Sequence, residues 1–317
     1  MSIEAHQTTS VAPRPRAGTV AVACESTCCL PPDLVARHAI EIIPIPLVFG
    51  AETFLDGVDI TPAEFYARLA RSSAPPKTSP PSPGEYLAAW RRMAERVAPA
   101  DSGIGGIGGV AMVTADGRVT TFDRSTRLAH ALALEALPGV PVAVVDSYSA
   151  GMGQGFVALA AVRAAEAGLP LADVVRAAER VRDRVRMVVT LDTLEYLARA
   201  SRIPQVAAWL GGALAIKPVV LFAGGEIHTL ARVRTRRRAY AALLDQVARL
   251  APPGARLHMA VQHTQAPEVA LELAERLAAT YDCVELHMTE FTPVMGGYCG
   301  PGLLGVAFYP EADDHAD

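Results

Sequence analysis

The stretch GTVAVACESTCCLPPD, residues 18–33, decides how the first half of the chain is interpreted. Its apolar run over residues 18–23 predicts a short buried strand, and Ser26 and Thr27 follow where that strand ends. Two prolines then precede a helical pattern that begins at Asp33. The segment therefore predicts a strand, a polar loop and a helix. Its hydroxyls lie at the carboxyl end of the strand, the usual ligand-binding edge of an open α/β sheet.

The pattern repeats downstream of this unit. Thr61 predicts a helix N-cap with Glu64 as its capping-box partner. Pro44 and Pro46 predict an edge or irregular end in the second strand. Because strands alternate with helices, residues 18–167 predict an α/β domain with a parallel, doubly wound sheet. The predicted strands are 42–49, 110–114 and 140–146, and the predicted helices are 62–70, 85–97, 125–137 and 155–167.

After Gly168 the predicted strands come close together, which indicates an α+β domain with a mixed sheet over residues 168–317. Residues 1–17 are polar and contain prolines, and we interpret them as a flexible tail. In this second half the predicted strands are 186–191, 216–222, 226–234, 256–262, 283–289 and 304–309, and the predicted helices are 171–184, 194–200, 235–250 and 267–280.

Composition excludes several classes of protein. With 317 residues, 51% hydrophobic and 20% charged, the chain is globular and long enough for two domains. A net charge of −4 disfavours nucleic-acid binding. No apolar run is long enough to span a bilayer, and the start of the chain lacks the hydrophobic region of a secretory signal. These features predict a cytoplasmic protein.

The five cysteines do not have the paired spacing of a structural zinc site. Reduced thiols are the interpretation we favour for Cys24, Cys28 and Cys29, and a metal site completed by His263 or His287 is the alternative. No nucleophile–base constellation, P-loop or G-x-S-x-G elbow is present. The sequence therefore predicts no catalytic centre, no metal and no cofactor.

Two glycine clusters invite a phosphate-binding interpretation. Gly103, Gly105 and Gly108 match G-x-G-x-x-G but precede a strand instead of following one, which argues against a dinucleotide site. Residues 151–155 follow a strand and lead into a helix, where tight packing is a better explanation than anion binding.

A basic run lies at the start of the helix predicted at 235–250. We expect a solvated face there, and docking of an acidic or phosphate-bearing partner is the alternative. No aromatic platform accompanies the run, so nucleic acid is disfavoured again. The run consists of Arg232, Arg234, Arg236, Arg237 and Arg238.

A second pair of hydroxyls, Thr78 and Ser79, lies in a segment with five nearby prolines. Such a segment is stiff, so holding it in one shape costs little conformational entropy. Two stiffened loops, one with Ser26 and Thr27 and one with Thr78 and Ser79, could converge on a carboxylate.

These motifs, in this order, resemble the DegV family, whose studied members are fatty-acid-binding proteins. The resemblance runs from about Gly18 to Tyr309, and its most specific piece is Pro76-Lys77-Thr78-Ser79-Pro80-Pro81-Ser82-Pro83. The other matching pieces are Glu25-Ser26-Thr27, Ile43-Pro44-Ile45-Pro46-Leu47, Leu55-Asp56-Gly57, Asp146-Ser147, Asp192-Thr193-Leu194-Glu195-Tyr196-Leu197, Arg202-Ile203, Ile216-Lys217-Pro218, Arg234-Thr235-Arg236 and Gly300-Pro301-Gly302.

The resemblance implies a bacterial lipid-binding protein of the EDD fold. It would hold a long-chain fatty acid between its domains and present the carboxylate to a partner, an ATP-dependent fatty acid kinase, for acyl-phosphate formation. Thr78 and Ser79 would contact the carboxylate, Ser26 and Thr27 would line the entrance, and Arg202 would favour negative charge nearby. Membrane contact, if any, would be transient.

The chain departs from the family at two places. A Ser/Thr-rich family loop after the third strand is replaced by residues 115–121, so Thr120 or Thr121 would supply the missing hydroxyl. A cleft histidine of the family becomes Tyr298. We expect these departures to affect the handover of the fatty acid to the kinase more than the binding of its acyl chain between the domains.

Two other functions remain open from the sequence. One is a small-molecule acyl transferase or hydrolase that uses Asp116, Thr120 or Tyr298 in the altered cleft. The other is a diverged regulatory lipid-binding protein without kinase handover.

Overall fold

The computed structural model describes residues 18–72, 76–97, 107–118, 122–200 and 216–311. The strands are β1 Val20–Glu25, β2 Glu41–Ile43, β3 Pro46–Phe49, β4 Glu52–Leu55, β5 Lys77–Thr78, β6 Gly109–Thr114, β7 Val142–Asp146, β8 Arg186–Thr190, β9 Lys217–Ala223, β10 Glu226–Val233, β11 Arg256–His263, β12 Asp282–Glu290 and β13 Leu304–Pro310. The helices are α1 Pro32–Arg37, α2 Pro62–Leu69, α3 Pro83–Val97, α4 Phe122–Ala136, α5 Met152–Glu166, α6 Leu171–Arg184, α7 Glu195–Ala200, α8 Arg236–Leu250, α9 Pro267–Thr280 and α10 Pro293–Cys299.

The first sheet has the strand order β2-β1-β6-β7. Each neighbouring pair in it is parallel. Residues of β1 and β6 are buried on both faces, because helices cover the sheet on each side. The predicted parallel, doubly wound sheet of the first half is confirmed.

The segment predicted as one strand over residues 42–49 is two strands in different sheets. Strand β2 is an edge strand of the parallel sheet. Strand β3 begins at Pro46 and pairs antiparallel with β4 and β5 in a separate three-stranded sheet. The break falls at Pro44, which has no N–H to continue a ladder. The prediction of an edge or irregular end agrees with the edge position of β2, but the single strand over 42–49 is wrong and the small antiparallel sheet has no local signal that predicts it.

The second sheet has the order β10-β9-β8-β13-β11-β12. Its β11–β12 pair is parallel and its other pairs are antiparallel. The predicted mixed sheet of the second half is therefore confirmed. Helices α6 and α9 have the predicted bounds, and the Thr61–Glu64 capping box opens α2 as predicted.

Helices α5 and α6 lie in a layer between the two sheets. Alternate residues of β1, such as Val22, belong to the same buried cluster as Phe156 of α5 and Ala307 of β13. The outer face of the first sheet is covered by α3 and α4, and α8 and α9 cover the outer face of the second. The predicted domain boundary at 167/168 falls in the turn between α5 and α6, and it stays a prediction.

The glycines before and within α5 serve close packing. A Cβ on Gly151 would lie 2.8 Å from the side chains of Gln262 and Phe291, and one on Gly155 would lie 3.0 Å from the Cys28 carbonyl. The N–H of Gly151 donates to the Thr27 carbonyl at 2.8 Å. These contacts support the packing interpretation of this cluster. Among the helices of the described ranges, none combines the length and apolar character needed to cross a membrane.

Candidate functional site

Two of the predicted site residues meet directly. Thr78 ends β5 and pairs across the small sheet with Leu47 of β3. Tyr298 lies in α10, and its phenol shares a hydrogen bond with the Thr78 hydroxyl. The backbone N–H of Ser79 donates to the Pro46 carbonyl at 3.2 Å. The proline-rich loop and the C-terminal helix therefore present hydroxyls at one place.

An apolar cluster borders this hydroxyl pair. It joins side chains from β3, α2, the end of β6 and α10, so it is built from both halves of the chain. Tyr298 itself packs against it, with Tyr196 of α7 beside it. Its buried members are Ile45, Leu47, Phe49, Ile60, Phe65, Tyr66, Leu69, Ala115 and Val294. A ligand whose polar end meets Thr78 would find apolar side chains next to it.

Ser26 is buried and bound to the protein. Its hydroxyl oxygen accepts a hydrogen bond from the Ile45 N–H at 3.2 Å. Asp56 lies nearby, and its Oδ1 accepts from the Val294 N–H at 3.1 Å. Burial raises the pKa of Asp56, and hydrogen bonds from Ser26 and Thr292 limit the rise. The sequence indicated only a turn at Asp56, whereas the structure shows a buried acid that joins β1, the loop after β4 and α10.

Thr27 belongs to a second buried network, centred on Glu25. The Thr27 hydroxyl donates to Gln154 Oε1 at 2.8 Å. Gln154 Nε2 donates to Glu25 Oε2 at 2.9 Å. The same carboxylate accepts from the Ala115 N–H and from the Tyr86 hydroxyl, each at 3.1 Å. The Glu25 side chain therefore links the ends of β1 and β6 to α3 and α5.

Glu25 has no cationic partner in this network. Burial raises the pKa of Glu25 to about 7, and the hydrogen bonds from Ala115, Tyr86 and Gln154 oppose that rise because they favour the carboxylate. The sequence placed Glu25 at a strand end but gave no signal that it would be buried. Only the packing of α3 and α5 over the sheet encloses it.

A charged cluster lies close to the C-terminal Gly-Pro-Gly turn. Lys217 Nζ and Arg236 both bind the Asp192 carboxylate, and Lys217 Nζ also donates to the Asp192 carbonyl at 2.7 Å. Although burial opposes ionisation, these hydrogen bonds hold the pKa of Asp192 below its ordinary value. Arg236, one member of the predicted basic run, is thus engaged with the protein, while Arg237 and Arg238 are exposed.

Three predicted site residues, Thr120, Thr121 and Arg202, lie outside the described residues. Of the predicted loop over residues 115–121, residues 115–118 are described, and Asp116 among them is buried. Its carboxylate accepts from the backbone N–H of Arg118 at 2.9 Å and from Arg118 Nε at 3.1 Å.

The cysteines are free thiols. Cys24, Cys28 and Cys29 are buried. Within the ranges that the structure describes, no group of three or more His, Cys, Asp or Glu residues is arranged to hold a metal ion. The alternative metal interpretation of the cysteine cluster finds no support in this geometry.

Comparison with known proteins agrees with the fold. The family model described as "Uncharacterised protein, DegV family" matches residues 19–311. A DegV domain-containing protein of Streptomyces coelicolor is 36% identical over 288 residues, covering 90% of this chain and 97% of that relative.

Two solved structures share the architecture. DegV of Bacillus subtilis, described as a fatty acid binding protein, has a TM-score of 0.81 at 25% identity and covers 93% of this chain and 100% of its own. A stearic acid-binding protein of Eubacterium ventriosum has a TM-score of 0.79 at 25% identity, covering 91% of this chain and 97% of its own.

The parallel sheet, the mixed sheet and the helical layer between them define a protein of the two-domain α/β class. The family model matches residues 19–311 and the Streptomyces coelicolor relative is 36% identical, so the chain belongs to the DegV family.

Proposed function

We propose that this protein binds a long-chain fatty acid, with the acyl chain against the apolar cluster and the carboxylate at Thr78 and Ser79. The observation that carries this proposal is the hydrogen bond between Thr78 and Tyr298 at the border of that cluster. The two hydroxyl groups suit the carboxylate of a fatty acid, and the apolar side chains next to them suit its acyl chain. Relatives of the same fold are described as fatty-acid-binding and stearic acid-binding proteins, which supports the proposal.

The two ends of the ligand need different surroundings. Each methylene buried away from water contributes about 0.8 kcal/mol, so a long chain supplies on the order of 10 kcal/mol before ordering costs. The carboxylate loses its water and must receive hydrogen bonds in exchange. Hydroxyl donors supply these bonds without a fixed cation, and this leaves a carboxylate oxygen able to attack a phosphoryl group.

The remaining predicted residues take secondary roles in this proposal. The hydroxyls of Ser26 and Thr27 already form hydrogen bonds with Ile45 and Gln154. We therefore infer that these two residues stabilise the loop after β1 and do not contact the carboxylate of the fatty acid. We infer from the family resemblance that Thr120 or Thr121 supplies a further hydroxyl, and that Arg202 favours negative charge.

We further infer that the bound carboxylate is presented to a partner, an ATP-dependent fatty acid kinase, and that the chain itself has no catalytic step. The resemblance to the DegV family supports this inference. We place the protein in the cytoplasm, where it would collect its ligand by transient contact with the membrane. The handover is tested by mixing the fatty-acid-loaded protein with ATP and a fatty acid kinase and measuring acyl phosphate. Absence of acyl phosphate with every fatty acid kinase tried would contradict the inference.

The test of binding begins with the protein as purified. Native mass spectrometry, followed by solvent extraction and mass analysis, is expected to show a copurified long-chain fatty acid. Delipidated protein is then expected to take up palmitate, stearate or oleate in a one-to-one complex. Protein that is isolated empty and takes up none of the three would refute fatty-acid binding.

A further inference from the structure

The buried carboxyl group of Glu25 joins several of the segments that surround the proposed carboxylate site. Ala115, which donates its N–H to Glu25, begins the loop after β6. Tyr86, which donates its hydroxyl, lies near the start of α3, and Gln154, which donates its amide, lies near the start of α5. Glu25 has no exposed surface. One carboxyl group therefore holds a loop and two helices together from inside the protein.

The segment that carries Ser79 is connected to the loop after β1 on one side. The Ser79 N–H donates to the Pro46 carbonyl at 3.2 Å. The adjacent Ile45 N–H donates at 3.2 Å to the hydroxyl of Ser26, the residue that follows Glu25 in the chain. Two hydrogen bonds and two peptide units thus separate Ser79 from Glu25.

The same segment is connected to Glu25 on its other side through α3. The Ser82 N–H donates to Glu85 Oε2 at 2.6 Å, and the Glu85 N–H donates to Ser82 Oγ at 3.2 Å, which fixes the start of the helix. The Ser125 hydroxyl donates to the Pro81 carbonyl and attaches the segment to α4. Tyr86, the next residue after Glu85, donates to Glu25. The proline-rich segment is therefore held at both ends by groups that contact Glu25 or its neighbour.

The hydrogen-bond donors around Glu25 are all neutral. They are a backbone N–H, an amide and a phenol, at 2.9 to 3.1 Å. Three donors suit a carboxylate, but among the described residues no cation balances its charge. Burial accordingly raises the pKa of Glu25 to about 7. A second negative charge nearby in a dry site would disfavour the ionised form still more.

The titratable groups beside Glu25 are Cys24 of β1 and Tyr86 of α3. A hydrogen bond with Cys28, together with burial, raises the pKa of the Cys24 thiol. Burial and the charge of Glu25 raise the pKa of the Tyr86 phenol. Both groups are therefore neutral near neutral pH, and Gln154 and the Ala115 N–H do not titrate. Within this described network, Glu25 is the group that can change its charge.

We propose that Glu25 is a positioning residue for the carboxylate site and that it takes up a proton from the solvent when the fatty acid binds. The ligand carboxylate at Thr78 and Ser79 would be a second anion held by the same segments. Ala115, whose N–H binds Glu25, also belongs to the apolar cluster against which Tyr298 packs. Addition of a proton to a Glu25 oxygen removes one of the two negative charges and leaves the ligand carboxylate ionised. This inference rests on the proposed fatty-acid binding.

The carboxyl carbon of Glu25 reports the proton directly. Its ¹³C resonance, assigned by its absence from Glu25→Gln, is titrated in delipidated protein and in protein loaded with stearate. We expect the titration midpoint to lie roughly 0.5 to 1 pH unit higher in the loaded protein, which is a roughly 3- to 10-fold higher proton affinity. The same midpoint in both forms, or a lower one in the loaded form, would overturn the proposal.

The affinity for stearate gives a second, independent readout. Because the wild type must take up a proton that Glu25→Gln does not need, the ratio of the wild-type Kd to the Glu25→Gln Kd should rise roughly 2- to 5-fold from pH 6 to pH 8. Ionisation of stearate itself cancels in this ratio. Glu95→Gln, at an exposed glutamate of α3, is the matched control, and its ratio to the wild type should change with pH as the wild type alone does.

A purely structural role for Glu25 predicts something different. Glu25→Gln would then change the affinity by the same factor at pH 6 and pH 8, and that result would overturn the proton linkage while fatty-acid binding stands. A wild type that binds no stearate at either pH would refute fatty-acid binding, and the linkage with it. The two failures are therefore distinguishable.

Discussion

The hydroxyl of Thr78 and the phenol of Tyr298 share a hydrogen bond although 220 positions separate them in the chain. Thr78 reaches this place because β5 pairs with β3, and Tyr298 because α10 packs against α2 and α7. Tyr298, the position at which the family resemblance predicts a histidine, is therefore in direct contact with Thr78 of the proline-rich segment.

Removal of both hydroxyls in Thr78→Ala/Ser79→Ala is expected to weaken fatty-acid binding by roughly 10- to 100-fold. A hydrogen bond to a charged group is worth about 1.5–3 kcal/mol, and the double variant removes both hydroxyls that are proposed to donate to the ligand's carboxylate. Isothermal titration of delipidated protein with stearate measures the change. Thr229→Ala, an exposed threonine of β10, and Arg237→Ala are the controls. Similar losses in the controls would remove the proposed carboxylate site.

Tyr298→Phe tests the phenol alone. The ring keeps its packing against the apolar cluster, so we expect the thermal stability to change little. One donor near the carboxylate is lost, and the affinity for stearate should fall roughly 3- to 10-fold. Tyr240→Phe, on α8 and remote from the site, is the matched control. An unchanged affinity in Tyr298→Phe would show that the carboxylate is not bound near this phenol.

Glu25 makes stability depend on pH near neutrality. Its pKa is raised from 4.5 to about 7 in the folded state, so the folded protein binds the proton more tightly than the unfolded chain between these values. Stability from this group is present at low pH and is lost as pH rises from about 4.5 to 7. The free energy of unfolding of the wild type minus that of Glu25→Gln should therefore fall by about 2 kcal/mol between pH 5 and 8.

Urea unfolding at the two pH values measures this difference. Asp56 and Asp146, whose pKa values burial also raises, are present in both proteins, so their contributions cancel in the subtraction. A difference that stays constant with pH, or grows as pH rises, would contradict a raised pKa for Glu25.

Arg163 links α5 to the edge strand of the second sheet. Its guanidinium donates to both oxygens of Glu285, at 2.9 and 2.6 Å. His258 and His287 bind the same carboxylate, at 2.6 and 2.9 Å. Although burial opposes ionisation, these hydrogen bonds hold the pKa of Glu285 far below its ordinary value.

Arg163→Ala is expected to lower the free energy of unfolding by about 1–3 kcal/mol at pH 7. Because the folded-state pKa of Glu285 is depressed, its contribution is full above about pH 4.5 and decreases only as the pH falls from there toward the folded-state pKa, so the ion pair should persist under mildly acidic conditions. Exposed Arg180 of α6 supplies the control, for which Arg180→Ala should stay within about 0.5 kcal/mol. A cost of Arg163→Ala at pH 7 no larger than that of Arg180→Ala would argue against this ion pair.

The sequence by itself determined the order and type of most elements, since these depend on local signals. Alternating apolar runs and helical periods gave the parallel sheet, and the Thr61–Glu64 pair gave the start of α2. The prediction was wrong where strand pairing is not local. Residues 46–49 form β3, which is separate from β2 and pairs with β4 and β5 in a small sheet. No local sequence signal indicates that pairing.

The tertiary structure alone decided which polar groups are buried and which of them meet. Glu25, Asp56 and Gln154 resemble ordinary strand-end, turn and helix residues in the sequence, because burial depends on elements that pack from elsewhere. The meeting of Thr78 with Tyr298 likewise joins distant segments. Local propensity acts over a few residues, whereas these contacts depend on how two sheets and the helices between them pack together.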